Sequence, residues 1–70
     1  MLPDPTIILN GTPHPLSDLT TVQGLLQSLG LEGVPVLVEY NSAALFPREF
    51  PTIALSAGDR VEIIRIVAGG

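Results

Sequence analysis

Only one stretch of this chain spaces its apolar residues as a helix does. Val22, Leu25, Leu26 and Leu29 fall at i, i+3, i+4 and i+7, on a single face. Ahead of them Thr20-x-x-Gln23 resembles a capping box, and behind them Gly30 can supply a left-handed C-cap. The spacing therefore predicts one helix over about Thr21 to Leu29. Gly24 inside it costs about 1 kcal/mol relative to alanine, which implies either close packing at that point or a tolerated weakness. Every other apolar run is short, rich in β-branched residues and bounded by turn residues, so it reads as strand. One amphipathic helix cannot cover both faces of a sheet, and the economical arrangement packs it across one.

The strands can be placed in turn. Thr6-Ile7-Ile8-Leu9 is a β-branched run, and Asn10-Gly11 after it signals a type I′ hairpin turn, which needs positive φ at both central residues. The returning strand, Thr12 to Leu16, carries Pro13 and Pro15, which withhold ladder donors, so it is expected at a sheet edge or barely formed. Val36 to Tyr40 is the third strand, closed by the turn residues Asn41 and Ser42, with Val36, Val38 and Tyr40 on one face and Leu37 and Glu39 on the other. Ala44-Leu45-Phe46 reads as a short strand, Pro47 to Pro51 as a single helical turn pinned between prolines, Thr52 to Leu55 as extended or irregular, and Ser56 to Asp59 as a turn. The last strand, Arg60 to Val67, is apolar at most positions and belongs at the sheet centre. If Val61 and Ile63 face the helix, Glu62, Ile64 and Ile66 face away. The expected core is Val22, Leu25, Leu26, Leu29, Val36, Val38, Val61 and Ile63. The fold class is α+β: a mixed sheet of about five strands with one principal helix, the β-grasp plan of ubiquitin-like domains.

Composition narrows the function. Seventy residues make one small domain, too short to wall an active site of its own, so a self-contained enzyme is not expected. Cysteine is absent, which removes disulfides, thiolate metal sites and thiol nucleophiles together. The formal charge is −4, from seven acids against Arg48, Arg60 and Arg65 with no lysine. Nucleic acid and anionic membrane are poor partners for such a chain, and self-conjugation through lysine is closed to it. The N-terminus has neither the basic nor the apolar region of a signal peptide, and the expected location is cytoplasmic. His14, the sole histidine, lies between two prolines without the convergent ligands a metal needs, and reads as a surface residue. The acids are scattered and the serines lack a histidine-acid constellation. No catalytic residue, metal or bound cofactor is expected.

What remains is the end of the sequence. Ala68-Gly69-Gly70 directly follows the last strand, and glycines without Cβ can lie in a channel too narrow for other residues. Four extended residues, Val67 to Gly70, reach roughly 13 Å, enough to carry a carboxylate into a partner's active site. The domain is expected over residues 1–67, with 68–70 a mobile tail that orders on binding. Ile64 and Ile66, with Val67, Phe46 and Arg48, make the candidate partner interface, since an exposed apolar patch usually marks one. The alternative is that the segment around Phe46 or Phe50 covers the isoleucines.

These residues give the chain a resemblance to the sulfur-carrier family of thiamine biosynthesis. It is carried by Leu9-Asn10-Gly11, Val22-x-x-Leu25-Leu26-x-x-Leu29, Val38-Glu39-Tyr40-Asn41, Phe46-Pro47-Arg48-Glu49-Phe50, Gly58-Asp59-Arg60-Val61-Glu62-Ile63 and the closing Ala68-Gly69-Gly70. Phe50 stands where many members have tryptophan. Asn41-Ser42-Ala43-Ala44 replaces the usual asparagine-glycine turn, which implies a longer or altered connection before Phe46. The resemblance implies that the Gly70 carboxylate is adenylated with ATP by a separate E1-like enzyme. A sulfur donor protein would convert it to a thiocarboxylate, and thiazole synthase would take the sulfur. The chain would then be a co-substrate rather than a catalyst. Two other readings of the same residues are the small subunit of molybdopterin synthase and a ubiquitin-like interaction module without sulfur chemistry.

Overall fold

The computed structural model describes residues 4–16 and 21–67. The elements run β1 (Thr6–Leu9), β2 (Thr12–Pro15), α1 (Val22–Ser28), β3 (Val36–Tyr40), β4 (Ala43–Leu45), a 3₁₀ helix (Pro47–Thr52) and β5 (Arg60–Arg65). The five strands form one sheet in the order β2-β1-β5-β3-β4. β5 is central, as its apolar sequence requires, and proline-bearing β2 is an edge. β1 and β5 are parallel, whereas β3 pairs antiparallel with both β5 and β4. The helix packs across one face, giving the mixed five-stranded β-grasp expected.

Two tight turns set the register. Asn10 and Gly11 take φ of 50° and 81°, the positive pair a type I′ turn demands, and close Leu9 onto Thr12. Asn10 also does more than turn the chain. β1 leaves β5 after Leu9↔Val61, and the Asn10 side-chain oxygen accepts the Ile63 N–H at 2.8 Å, so a side chain continues the ladder where the backbone has departed.

The second turn lies at Asn41 and Ser42, the turn residues expected to close the third strand, and of the longer or altered connection expected before Phe46 the longer form is not found. Tyr40 pairs with Ala43, so β3 and β4 are joined by Asn41 and Ser42 alone and the connection is not lengthened. The short strand accordingly runs Ala43–Leu45 and leaves Phe46 outside it. Both turn residues have positive φ, 48° and 73°. Asn41 offsets that strain by accepting the Arg60 N–H at 2.8 Å and donating to Asp59 at 3.2 Å, but Ser42 has no such bond. Ser42→Gly is therefore expected to stabilise the fold by about 0.5–1 kcal/mol, relief of the left-handed strain exceeding the entropy glycine adds to the unfolded chain. Asn41→Gly should instead destabilise it. Urea midpoints of the two variants check the contrast.

The helix differs from the expected one at both ends. Its N-cap is Thr21, whose hydroxyl accepts the Gly24 N–H at 3.0 Å. The capping box anchored on Thr20 is therefore one residue out of register, and Thr20 itself lies outside the described residues. A Cβ on Gly24 would meet only Thr21 Oγ1, at 3.6 Å, so this glycine is a tolerated weakness rather than a packing requirement. At the other end Gly30, at φ 73°, donates to Gln27 at 3.1 Å and Leu31 to Leu26 at 2.8 Å, the paired bonds of a Schellman cap. That reversal brings Leu31 against the core and leaves Leu29, assigned to the core by periodicity, 38% exposed.

Ile7, Val22, Leu25, Leu26, Val38, Phe50, Leu55, Val61 and Ile63 form the buried cluster, with Val36 half-buried against it. Phe50 enters from the 3₁₀ helix. Pro47 starts that helix, and the Phe46 N–H donates to the Glu49 carboxylate at 2.6 Å. At the pole where β5 begins, Asp59 accepts from Tyr40 Oη at 2.8 Å and from the Ser56 N–H at 2.8 Å. Burial pushes its carboxyl up, but the bonds from Ser56, Tyr40 and Asn41 outweigh this and hold it below the ordinary value. A pKa lowered by folding stabilises the protein above the unfolded value, near 4, and that stability is lost as pH falls through the folded value. Unfolding midpoints should therefore fall below about pH 4, and less steeply in Asp59→Asn.

Candidate functional site

The central strand delivers the chain to one end of the sheet. Val36↔Arg65 is the last β3–β5 pair, and beyond it Ile66 donates its N–H to the Pro35 carbonyl at 3.0 Å. The last strand thus stops at Arg65 rather than Val67, one backbone bond follows, and Val67 is 81% exposed. Ala68, Gly69 and Gly70 lie outside the described residues.

The face of the sheet turned away from α1 is apolar at this end. Alternation along β5 buries Val61 and Ile63 and leaves Ile64 more than half exposed on this face, the parity the sequence implies; Ile66, just past the strand, is also more than half exposed and borders the groove beside α1. Leu37 sits directly opposite Ile64 in the register and is also exposed. Phe46 is 60% exposed; extending the β3–β4 register one pair beyond Val38↔Leu45 sets it across from Leu37. The Arg48 guanidinium lies over the Phe46 ring, 4.7 Å from its centroid, within cation–π range. The segment after β4 therefore does not cover the isoleucines: Phe50 turns into the core and Phe46 stays outside. Leu37 was missing from the candidate interface although its signal was legible, since it alternates with Val36 and Val38.

The same end carries a half-open groove of about 430 Å³ between α1, the 31–36 segment and the 3₁₀ helix, lined mainly by apolar side chains including Leu26, Val36, Phe50 and Ile66. It offers contact surface rather than chemistry. Among the described residues no group of three or more histidines and acids could hold a metal, and no helix is long and apolar enough to cross a membrane. His14 lies on edge strand β2, half-buried, away from the patch.

Comparison with known proteins places this geometry. The chain is 37% identical over 62 residues to the sulfur carrier protein ThiS of Thermus thermophilus, covering 89% of this chain and 95% of that one. It is 36% identical over 64 residues to a thiazole synthase of Magnetococcus marinus, covering 91% of this chain but only 20% of that protein. The chain thus spans about a fifth of the thiazole synthase it matches. The crystal structure of a thiamine biosynthesis protein (ThiS) from Geobacter metallireducens superposes with a TM-score of 0.76 at 28% identity, covering 93% of this chain and 99% of that one. The ThiS family profile matches residues 7–70, from the first strand through both terminal glycines, and the chain belongs to the ThiS family.

Proposed function

We propose that this chain is a sulfur carrier of thiamine biosynthesis and that the Gly70 carboxylate is its loading point. The family match, which runs through Gly70, carries this reading. A carboxylate is a poor electrophile at neutral pH and must first be activated. In the proposed cycle the carboxylate attacks the α-phosphorus of ATP on a separate E1-like enzyme, pyrophosphate leaves, and an acyl adenylate forms. The outer sulfur of a donor protein's persulfide then displaces AMP to give an acyl disulfide, and a second thiol attacks the donor-side sulfur, forming a disulfide with the donor and releasing the tail as a thiocarboxylate. Thiazole synthase takes the sulfur and the tail returns as a carboxylate. The chain is a co-substrate in this scheme, and ATP belongs to the activating enzyme.

Thiazole synthase is favoured as the acceptor because a segment homologous to this chain is part of a thiazole synthase in Magnetococcus marinus. A carrier tethered by its folded body raises the local concentration of the sulfur atom at the docked enzyme. The docking surface in this reading is the exposed apolar face at the tail end: Ile64, Ile66, Val67 and Phe46, joined by Leu37, with Arg48 at its rim. Ala68 and Gly69 supply the thin stem on which Gly70 is presented.

Intact-mass measurement of the protein purified from its native host tests the proposal. A fraction carrying the mass increase of one oxygen replaced by sulfur, lost on deleting Gly70, is expected. Only the unmodified mass under conditions of active thiamine synthesis would contradict it.

A further inference from the structure

Next to the apolar row on the outer sheet face lies an arrangement that works against the fold. Glu39 of β3 and Glu62 of β5 are directly opposite each other, where facing side chains stand about 5 Å apart and like charges destabilise the pair. Both border a shallow hollow of about 110 Å³, together with Ser42 and Arg60. Among the described residues no ion pair reaches either carboxylate. The acidic pair is two residues, about 7 Å along the strands, from Leu37↔Ile64 on the same face. The outer face therefore reads, from the tail end inward, as an apolar row followed by an acidic row.

We propose that the two rows are read together, and that the partner docked on this face, thiazole synthase, inserts an arginine or lysine between Glu39 and Glu62 while its apolar side chains cover Leu37 and Ile64. This rests on the docking role assigned above and adds the chemistry of what docks. Three features favour a cationic occupant. Two carboxylates at this spacing match the fork of a guanidinium or the donors of an ammonium. A chain with net charge −4 approaches a basic surface faster than a neutral one. A second copy of the chain is disfavoured, because face-to-face pairing sets acidic rows against each other. Arg60, which borders the same hollow, forms no ion pair with either carboxylate, and a cation from the partner relieves the remaining repulsion, so the pair contributes to specificity at the expense of stability.

The test separates binding from folding. Titrate the full chain against thiazole synthase from the same organism, following affinity from low to high salt, and record thermal unfolding of each variant alone. The double variant Glu39→Gln, Glu62→Gln should unfold at the same or a higher temperature yet bind roughly tenfold or more weakly at low salt, with a flattened salt dependence. Ile64→Asp should lose binding altogether. If Ile64→Asp fails to bind while the glutamine variant binds as the unmodified chain does, with the same salt slope, the cation-reading role is overturned and the docking face stands. If Ile64→Asp also binds normally, or the unmodified chain does not bind, both assignments fall.

Discussion

Leu25→Ala will cost about 2–5 kcal/mol of stability, the range for emptying a fully buried leucine site. Leu25 is wholly buried, at the centre of the face that α1 presents to the sheet. Seventy residues typically hold roughly 4–10 kcal/mol in total, so this one truncation removes a large part of it. The only α-helix among the described residues spans seven residues, Val22–Ser28, too short to be stable on its own, and its packing is what keeps it formed. Urea denaturation should show the midpoint collapsing for Leu25→Ala. Leu29→Ala, four positions along the same periodic face, should shift it by less than about 1 kcal/mol, because Leu29 is already part-solvated. Equal effects at the two positions would show that Leu29 is a core residue after all.

The contrast between those leucines marks how far the chain could be read without coordinates. Periodicity located the helix, since three and four-residue spacings leave no other stable arrangement of Val22, Leu25 and Leu26. Gly30 was legible as the left-handed cap, but not that the Schellman reversal it makes would put Leu31, rather than Leu29, against the core. Strand faces were legible from one charge in each strand: Glu39 in β3 and Glu62 in β5 mark the outward side, and the two-residue period then places Ile64 outward and Ile63 inward. The core residues that escaped, Ile7, Phe50 and Leu55, sit in a four-residue strand, a 3₁₀ helix and an irregular segment, where too few turns exist to define a period. The turn at Asn41-Ser42 was legible from its residue types, but its two-residue length was not, because serine rarely takes positive φ and only the Tyr40↔Ala43 register forces it there. The acidic pair was invisible for a different reason. Glu39 and Glu62 are far apart in sequence, and only the β3–β5 register makes them neighbours.

The largest functional effect is expected at the tail. Replacing Gly69 with valine should abolish sulfur loading while leaving unfolding by heat or urea unchanged. The branched Cβ restricts φ and χ1 and widens the chain where the activating enzyme must admit it. Stability should be indifferent because the last backbone anchor seen before this point is Ile66 to Pro35, and the described core lies entirely upstream. Docking should survive too, since the exposed apolar face is untouched. The variant is thus expected to compete with the unmodified chain for the activating enzyme while remaining unloaded.

The most direct measurement is ATP–pyrophosphate exchange catalysed by the cognate activating enzyme, with the full chain and with Gly70 deleted. The exchange reads reversible formation of the acyl adenylate and nothing downstream. If the Gly70 carboxylate is the reacting group, the full chain supports exchange and the deletion, folded to the same thermal midpoint, supports none. Exchange by the deleted chain at the rate of the full one would contradict the central claim that sulfur is carried on this carboxylate.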